Sequence, residues 1–176
     1  MAALPAFAQT GSDLSEETRK QYSAGLKEVG TLIKDKQFET AESKLDVMIA
    51  QRPREPQARF LKGVVESELG HTDAAMTIFR GLIEDYPELP EPYNNLAVLY
   101  AQKGEYESAR LALETAVRTA PNWAVARENL GDIYARLAAA EYERAATLDH
   151  ANKSAPAKLA LVRNLFAAGS PPKPKS

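Results

Sequence analysis

The stretch PYNNLAVLYAQKGEYESA, Pro92 to Ala109, decides how this chain folds. It reads as an amphipathic helix as far as Lys103, breaks at Gly104, and resumes as a second helical segment. Two adjacent asparagines, Asn94 and Asn95, open the first segment, although asparagine is a weak helix former usually kept for caps and turns. Local propensity does not account for them, but the landmarks around them recur along the chain. Pro53, Pro87 and Pro121 are 34 residues apart, as are Ala41, Ala75 and Ala109, and Gly70 and Gly104 keep the same interval. A period near 34 that holds two helical segments is the length of one helix-turn-helix repeat. Such repeats stack because none buries its apolar face alone, so the period predicts an all-α solenoid.

The motif inside the period resembles the tetratricopeptide repeat. That family's order of an aromatic, a Leu-Gly pair, a second aromatic, an alanine, a large apolar residue and a proline is met at Tyr93, Leu96-Ala97, Tyr100, Ala109, Leu113 and Pro121. One repeat earlier the matching residues are Gly63, Ala75, Phe79 and Pro87, with Arg59 and Glu66 in the aromatic places; the first repeat keeps Leu32, Ala41, Leu45 and Pro53. The resemblance implies a right-handed superhelical stack whose first helices line a concave groove that receives a peptide or helix of another protein. Gly63, Ala97 and Gly131 are expected where the first helix of a pair is crossed closely, and Ala41, Ala75 and Ala109 where the second is.

Repeats are predicted at about 22–55, 56–89 and 90–123, followed by a shortened fourth unit at 124–150 and a capping helix at 155–168, all within one domain, 13–168. The fourth unit departs from the period. Tyr134 to Ala138 is 4 residues where Tyr100 to Ala109 is 9, and no turn signal falls between Ala124 and Leu148, which predicts one long helix. In the last segment Leu159, Val162, Leu165 and Phe166 are expected to share a face that closes the stack. Asp13 with Glu16 resembles a capping box that opens a first helix running to about Lys34.

Both ends of the chain read differently from its centre. Within residues 1–12, Ala6-Phe7-Ala8 followed by Gln9 has the A-x-A form of a signal-peptide cleavage region, so a leader is expected upstream of Met1 and the protein is expected in the periplasm or secreted from a bacterium, with a cytoplasmic location as the alternative. Residues 169–176, GSPPKPKS, are proline-rich and basic and are expected to form a loose tail. Overall composition is ordinary for a soluble globular chain, with 44% hydrophobic and 26% charged residues, and a formal charge of −2 spread along the sequence leaves no basic stripe for nucleic acid.

Function is then expected on first-helix residues that repeat packing leaves free. At the 34-residue interval these fall in rows: Leu26, Phe60, Asn94 and Glu128; Lys27, Leu61, Asn95 and Asn129; Gly30, Val64, Val98 and Asp132. The candidate peptide-binding groove consists of Phe60, Val64, Asn94, Asn95, Val98, Glu128, Asn129 and Asp132. An amide offers both a donor and an acceptor, the complement of a peptide backbone, but equally suits a bond to a neighbouring helix. Phe60, Val64 and Val98 supply apolar surface, and the acidic residues favour a basic or neutral partner. A carboxylate clamp of the kind found in chaperone adaptors is not present, because the matching places hold a single asparagine in one frame, Leu26, Gly30, Leu61, Glu91 and Asn95.

No catalytic residues, cofactor or metal are expected. The chain has no cysteine, its two histidines, His71 and His150, lack metal-ligand spacing, and there is no P-loop, G-x-S-x-G or G-x-G-x-x-G. The expected function is therefore a noncatalytic scaffold or interaction module with another protein as partner, neither binding nucleic acid nor inserted in a membrane. The alternative is a structural subunit docked in a larger assembly, or self-associating through its convex or terminal faces.

Overall fold

A computed structural model describes the backbone of Phe7–Ala168 and the side chains of residues 16–166. Residues 1–6, which begin the leader-like segment, and the tail 169–176 lie outside the described residues. The described chain is all-α, with helices α1 (Phe7–Lys34), α2 (Phe38–Gln51), α3 (Pro56–Glu68), α4 (Thr72–Asp85), α5 (Pro90–Gln102), α6 (Tyr106–Thr119), α7 (Ala124–Leu148) and α8 (Ser154–Ala168). They form two compact units that divide between Pro87 and Glu88. α1 starts at Phe7, six residues before Asp13, so the capping-box pair lies inside a helix instead of opening one. Nothing in Phe7-Ala8-Gln9 opposes a helix, so a cap further along does not by itself set the start.

The turns inside each pair share one construction. After α3 the Gly70 N–H donates to the Ser67 carbonyl and the His71 N–H to the Glu66 carbonyl; after α5 Gly104 and Glu105 donate likewise to Ala101 and Tyr100. These are Schellman closures, which need a residue in the left-handed region, and Gly70 and Gly104 supply it at φ +81° and +76°. After α1 the same two bonds form, Lys36 to Ile33 and Gln37 to Leu32, but the left-handed residue is Lys36, at φ 57°. Lys36 stands 34 residues before Gly70 and bears the strain that the glycines avoid. Lys36→Gly is expected to raise stability by up to about 1 kcal/mol, since relief of about 1–2 kcal/mol of strain is partly offset by the freer unfolded chain. Urea unfolding checks this.

In residues 7–87 the core holds Val29 of α1, Ala41, Leu45 and Met48 of α2, and Ala58 and Val65 of α3, with Leu26 and Leu61 packed against it. α3 and α4 meet at Gly63, where a Cβ would come within 2.7 Å of the Phe79 ring. Only glycine lets the two backbones approach that closely. The Arg59 guanidinium donates to Asp85 at 2.6 Å, and Lys62 pairs with Asp46, a hydrogen bond that raises the Lys62 pKa.

In residues 88–168 the core is built from Ala97 of α5, Ala109, Ala112 and Leu113 of α6, and Ile133 of α7, with Tyr100, Leu130 and Leu137 around it. α7 packs on both α5 and α6 and continues unbroken past the place where earlier repeats turn. The chain then turns at Asp149–Asn152, where Asn152 Oδ1 accepts from the N–H groups of Ser154 and Ala155 at 3.0 Å and so caps α8. α8 runs back along α7, bringing Lys158 over the Tyr142 ring and Phe166 to Arg136.

Two packing expectations need correction. Gly131 is exposed, and a Cβ there would meet nothing within 4 Å. The helix that should return across it is fused to α7, so the aromatic matched to Phe79, Tyr142, lies 11 residues further along the same helix. On α8 the inward row is Ala155, Leu159, Val162 and Phe166, spaced 4, 3 and 4, while Leu165 points out at 65% exposure.

A polar network fastens α6 to α7. Arg110 donates to Glu107 at 2.9 Å and to Glu114 at 2.7 Å, and the Tyr134 hydroxyl donates to Glu114 at 2.9 Å. Hydrogen bonds from Arg110 and then Tyr134 hold the Glu114 carboxyl below its ordinary range. A depressed carboxylate pKa stabilises the fold above the unfolded value and loses that effect as pH falls through the folded one, so the contribution of Glu114 to this fastening is lost in acid.

Candidate functional site

The open surface of residues 88–168 has a cleft of about 300 Å³ between α5 and α7, with the end of α8 at its edge. Val98, Ala101 and Ile133 give it apolar walls, Asn129 and Asp132 give it polar ones, and Phe166 lies at the α8 side. These residues meet because α5 and α7 are first helices of successive repeats, so positions one period apart face the same way. Three of the groove candidates, Val98, Asn129 and Asp132, therefore line one cleft. Val98 is 40% exposed, so its side chain is open at the cleft wall.

The other candidates are placed differently. Asn94 is not on the open face; it is 7% exposed beneath the crossing of α5 and α7, and its Oδ1 accepts a 2.8 Å hydrogen bond from Asn129 Nδ2. A buried amide requires a partner, and Asn129 is the one in reach. The bond leaves Asn129 Oδ1 as an acceptor at the cleft wall. Asn95 is half-buried and its Nδ2 donates to the Glu91 carbonyl one turn back on its own helix, at 2.9 Å. Glu128 is exposed on α7, one turn before Asp132. Phe60 and Val64 belong to α3, in the unit that ends at Pro87. Val64 and Phe60 are both half-buried, and the Phe60 ring packs against Phe79 with centroids 5.8 Å apart.

The amide assignments have a direct test. Asn129→Ala removes a bond between helices and strands the buried Asn94 oxygen, which should cost about 1–3 kcal/mol. Asn95→Ala removes only a bond within its own helix and should be neutral or slightly stabilising, because alanine is the better helix former. Denaturation midpoints of the two single variants distinguish them.

Two features of the cleft were not legible from the period. Arg136 places its guanidinium 5.6 Å from the Tyr106 ring centroid and 4.4 Å from that of Phe166, so the cation is held at one end of the cleft. Phe166 comes from α8, outside the repeat, where no interval relates it to α5 or α7. No group of three or more His, Cys, Asp or Glu side chains placed to hold a metal ion occurs among the described residues. His71 Nδ1 lies 2.9 Å from the buried Glu66 carboxylate and serves the turn after α3. No helix among the described residues is long and apolar enough to cross a membrane.

Residues 68–130 match the tetratricopeptide repeat family model. The chain is 37% identical over 95 residues to tetratricopeptide repeat protein 8 of Homo sapiens, a match that covers 50% of this chain and 18% of that relative's length. Among solved structures it is similar to the first tetratricopeptide domain of Spaghetti (RPAP3) bound to the HSP90 peptide SRMEEVD, with TM-score 0.62 and 14% identity over 68% of this chain and 94% of that one. It is also similar to the Yersinia enterocolitica type III secretion chaperone SycD in complex with a peptide of the translocator YopD, with TM-score 0.55 and 14% identity over 85% and 95% of the two chains. At these identities the structural likeness establishes the fold, a tetratricopeptide repeat solenoid.

Proposed function

We propose that this protein is a noncatalytic interaction module that holds an extended segment or a helix of a partner protein in the cleft between α5 and α7. The observation that carries this reading is the meeting of Val98, Asn129 and Asp132 around one open cleft: an apolar wall, a free amide acceptor and a carboxylate within a single concave site. Such a site suits a segment with apolar side chains and exposed N–H or cationic groups, and holding it calls for no cofactor. Spaghetti and SycD, which share the fold, are both seen with peptides of other proteins. The A-x-A pattern at Ala6-Phe7-Ala8 supports a site of action in the bacterial envelope, which fractionation of the native source tests.

A photo-crosslinking residue placed at Val98, with a second at Leu111 on the outer face of α6, tests the binding face in the full chain. Partner crosslinks from position 98 and not from 111 support the reading; the reverse pattern overturns it. A second reading, permanent docking in an assembly, is favoured by Leu161 and Leu165, which stand one turn apart on α8 at 67% and 65% exposure. Crosslinks confined to position 161 would select it.

A further inference from the structure

The two walls of the cleft are unlike. α7 supplies Asn129, Asp132 and Arg136, whereas α5 supplies Val98 and Ala101, with Gln102 beyond them. Each residue turns a helix by about 100°, so positions 129, 132 and 136 fall within about 60° of one another and form a polar line along α7. A helix would bring one stripe of side chains, three and four residues apart, to both walls alike. An extended chain instead sends successive side chains to opposite sides, one set to α7 and the other to α5. We infer that the segment held in this cleft is extended and carries a basic and an acidic residue two positions apart, with an apolar residue between them. The inference rests on the binding face proposed above.

Spacing and charge on the page agree with it. Asp132 and Arg136 are about 6 Å apart along α7, and residues i and i+2 of an extended chain point the same way about 6.6–6.8 Å apart. Val98 and Gln102 stand one period before Asp132 and Arg136, so a side chain directed at α5 between the two charges meets Ala101, which is small enough to leave it room. Asp132 and Arg136 are both exposed, and neither makes an ion pair among the described residues. The Arg136 guanidinium lies instead over the Phe166 and Tyr106 rings, at 4.4 and 5.6 Å from their centroids, which fixes its position and leaves its N–H edge for a carboxylate. Asn129 Oδ1, about one turn before Asp132, accepts a backbone N–H of the same segment. The opposite charges also set the direction of the segment, because turning it round places acid on Asp132 and base on Arg136.

A display library of random peptides, selected on the full-length protein, tests this. Selected peptides should share a basic and an acidic residue two apart around an apolar one, in one order, and Asp132→Lys combined with Arg136→Glu should select the opposite order. Asp132→Asn leaves Arg136 on its rings and keeps the test open where the double variant does not fold. It should weaken a peptide selected on wild type by about 1.5- to 5-fold, the range of an exposed ion pair, and less at raised salt. Charges enriched three or four apart, no enriched pair or peptide, the same order from a folded double variant, or unchanged affinity in Asp132→Asn would each overturn the inference. Val98→Glu separates it from the reading it rests on. Peptides without the charge pair that Val98→Glu abolishes remove the charge pattern and leave the cleft as the binding face, whereas peptides whose binding survives Val98→Glu remove the cleft itself.

Discussion

Phe79→Ala is expected to destabilise the protein by about 3–5 kcal/mol. The ring is 1% exposed, lies over Gly63 of α3 and packs beside Phe60, so its removal opens a cavity between two helices whose backbones are already in close approach. The neighbouring backbone has little room to collapse into the space. The complementary change shows that the contact is mutual. Gly63→Ala drives a methyl against the ring and should destabilise despite alanine's better helix propensity, while the same substitution in a Phe79→Leu background should cost less. Urea unfolding of the four proteins gives the coupling, and additive effects would contradict the close crossing.

Ala109→Leu should cost about 1–3 kcal/mol by overpacking. Ala109 is 0% exposed, in a cluster with Ala97 and Leu113, and the added carbons have no space there. Glu107→Gln, two residues away on the exposed side of the same helix, should leave the unfolding midpoint where it is. Equal shifts for the two variants would mean that the assigned face of α6 is wrong.

The repeat is legible in the sequence because close packing leaves few choices at a crossing. Ala41, Ala75 and Ala109 are each fully buried, and the glycine turns need a left-handed residue that glycine supplies at least strain. What escaped sequence reading did so for identifiable reasons. Lys36 performs the glycine's role without its signature, so the first turn is hidden from a search for breakers. Gly131 keeps the motif although the fused α7 has removed its partner helix. The asparagine rows pair Asn95 with Asn129 at the strict interval, yet the hydrogen bond joins Asn129 to Asn94, one residue out of row, because side chains on neighbouring helices meet diagonally. Phe60 falls in a groove row by number, and the interval does not report that its half-buried ring also packs against Phe79. The same limit concealed Phe166 and Arg136, whose meeting depends on how α8 returns along α7.

Binding of a partner segment in the cleft between α5 and α7 is open to a decisive substitution at Val98. This side chain is part of the cleft wall yet 40% exposed, so Val98→Glu places a charge on the apolar wall without cutting into the core. The measurement is recovery of crosslinked partner from the native source by the wild-type and variant proteins, side by side with their thermal midpoints. A partner held in this cleft requires an unchanged midpoint and loss of the species captured by wild type; undiminished recovery by a stably folded Val98→Glu protein would contradict it.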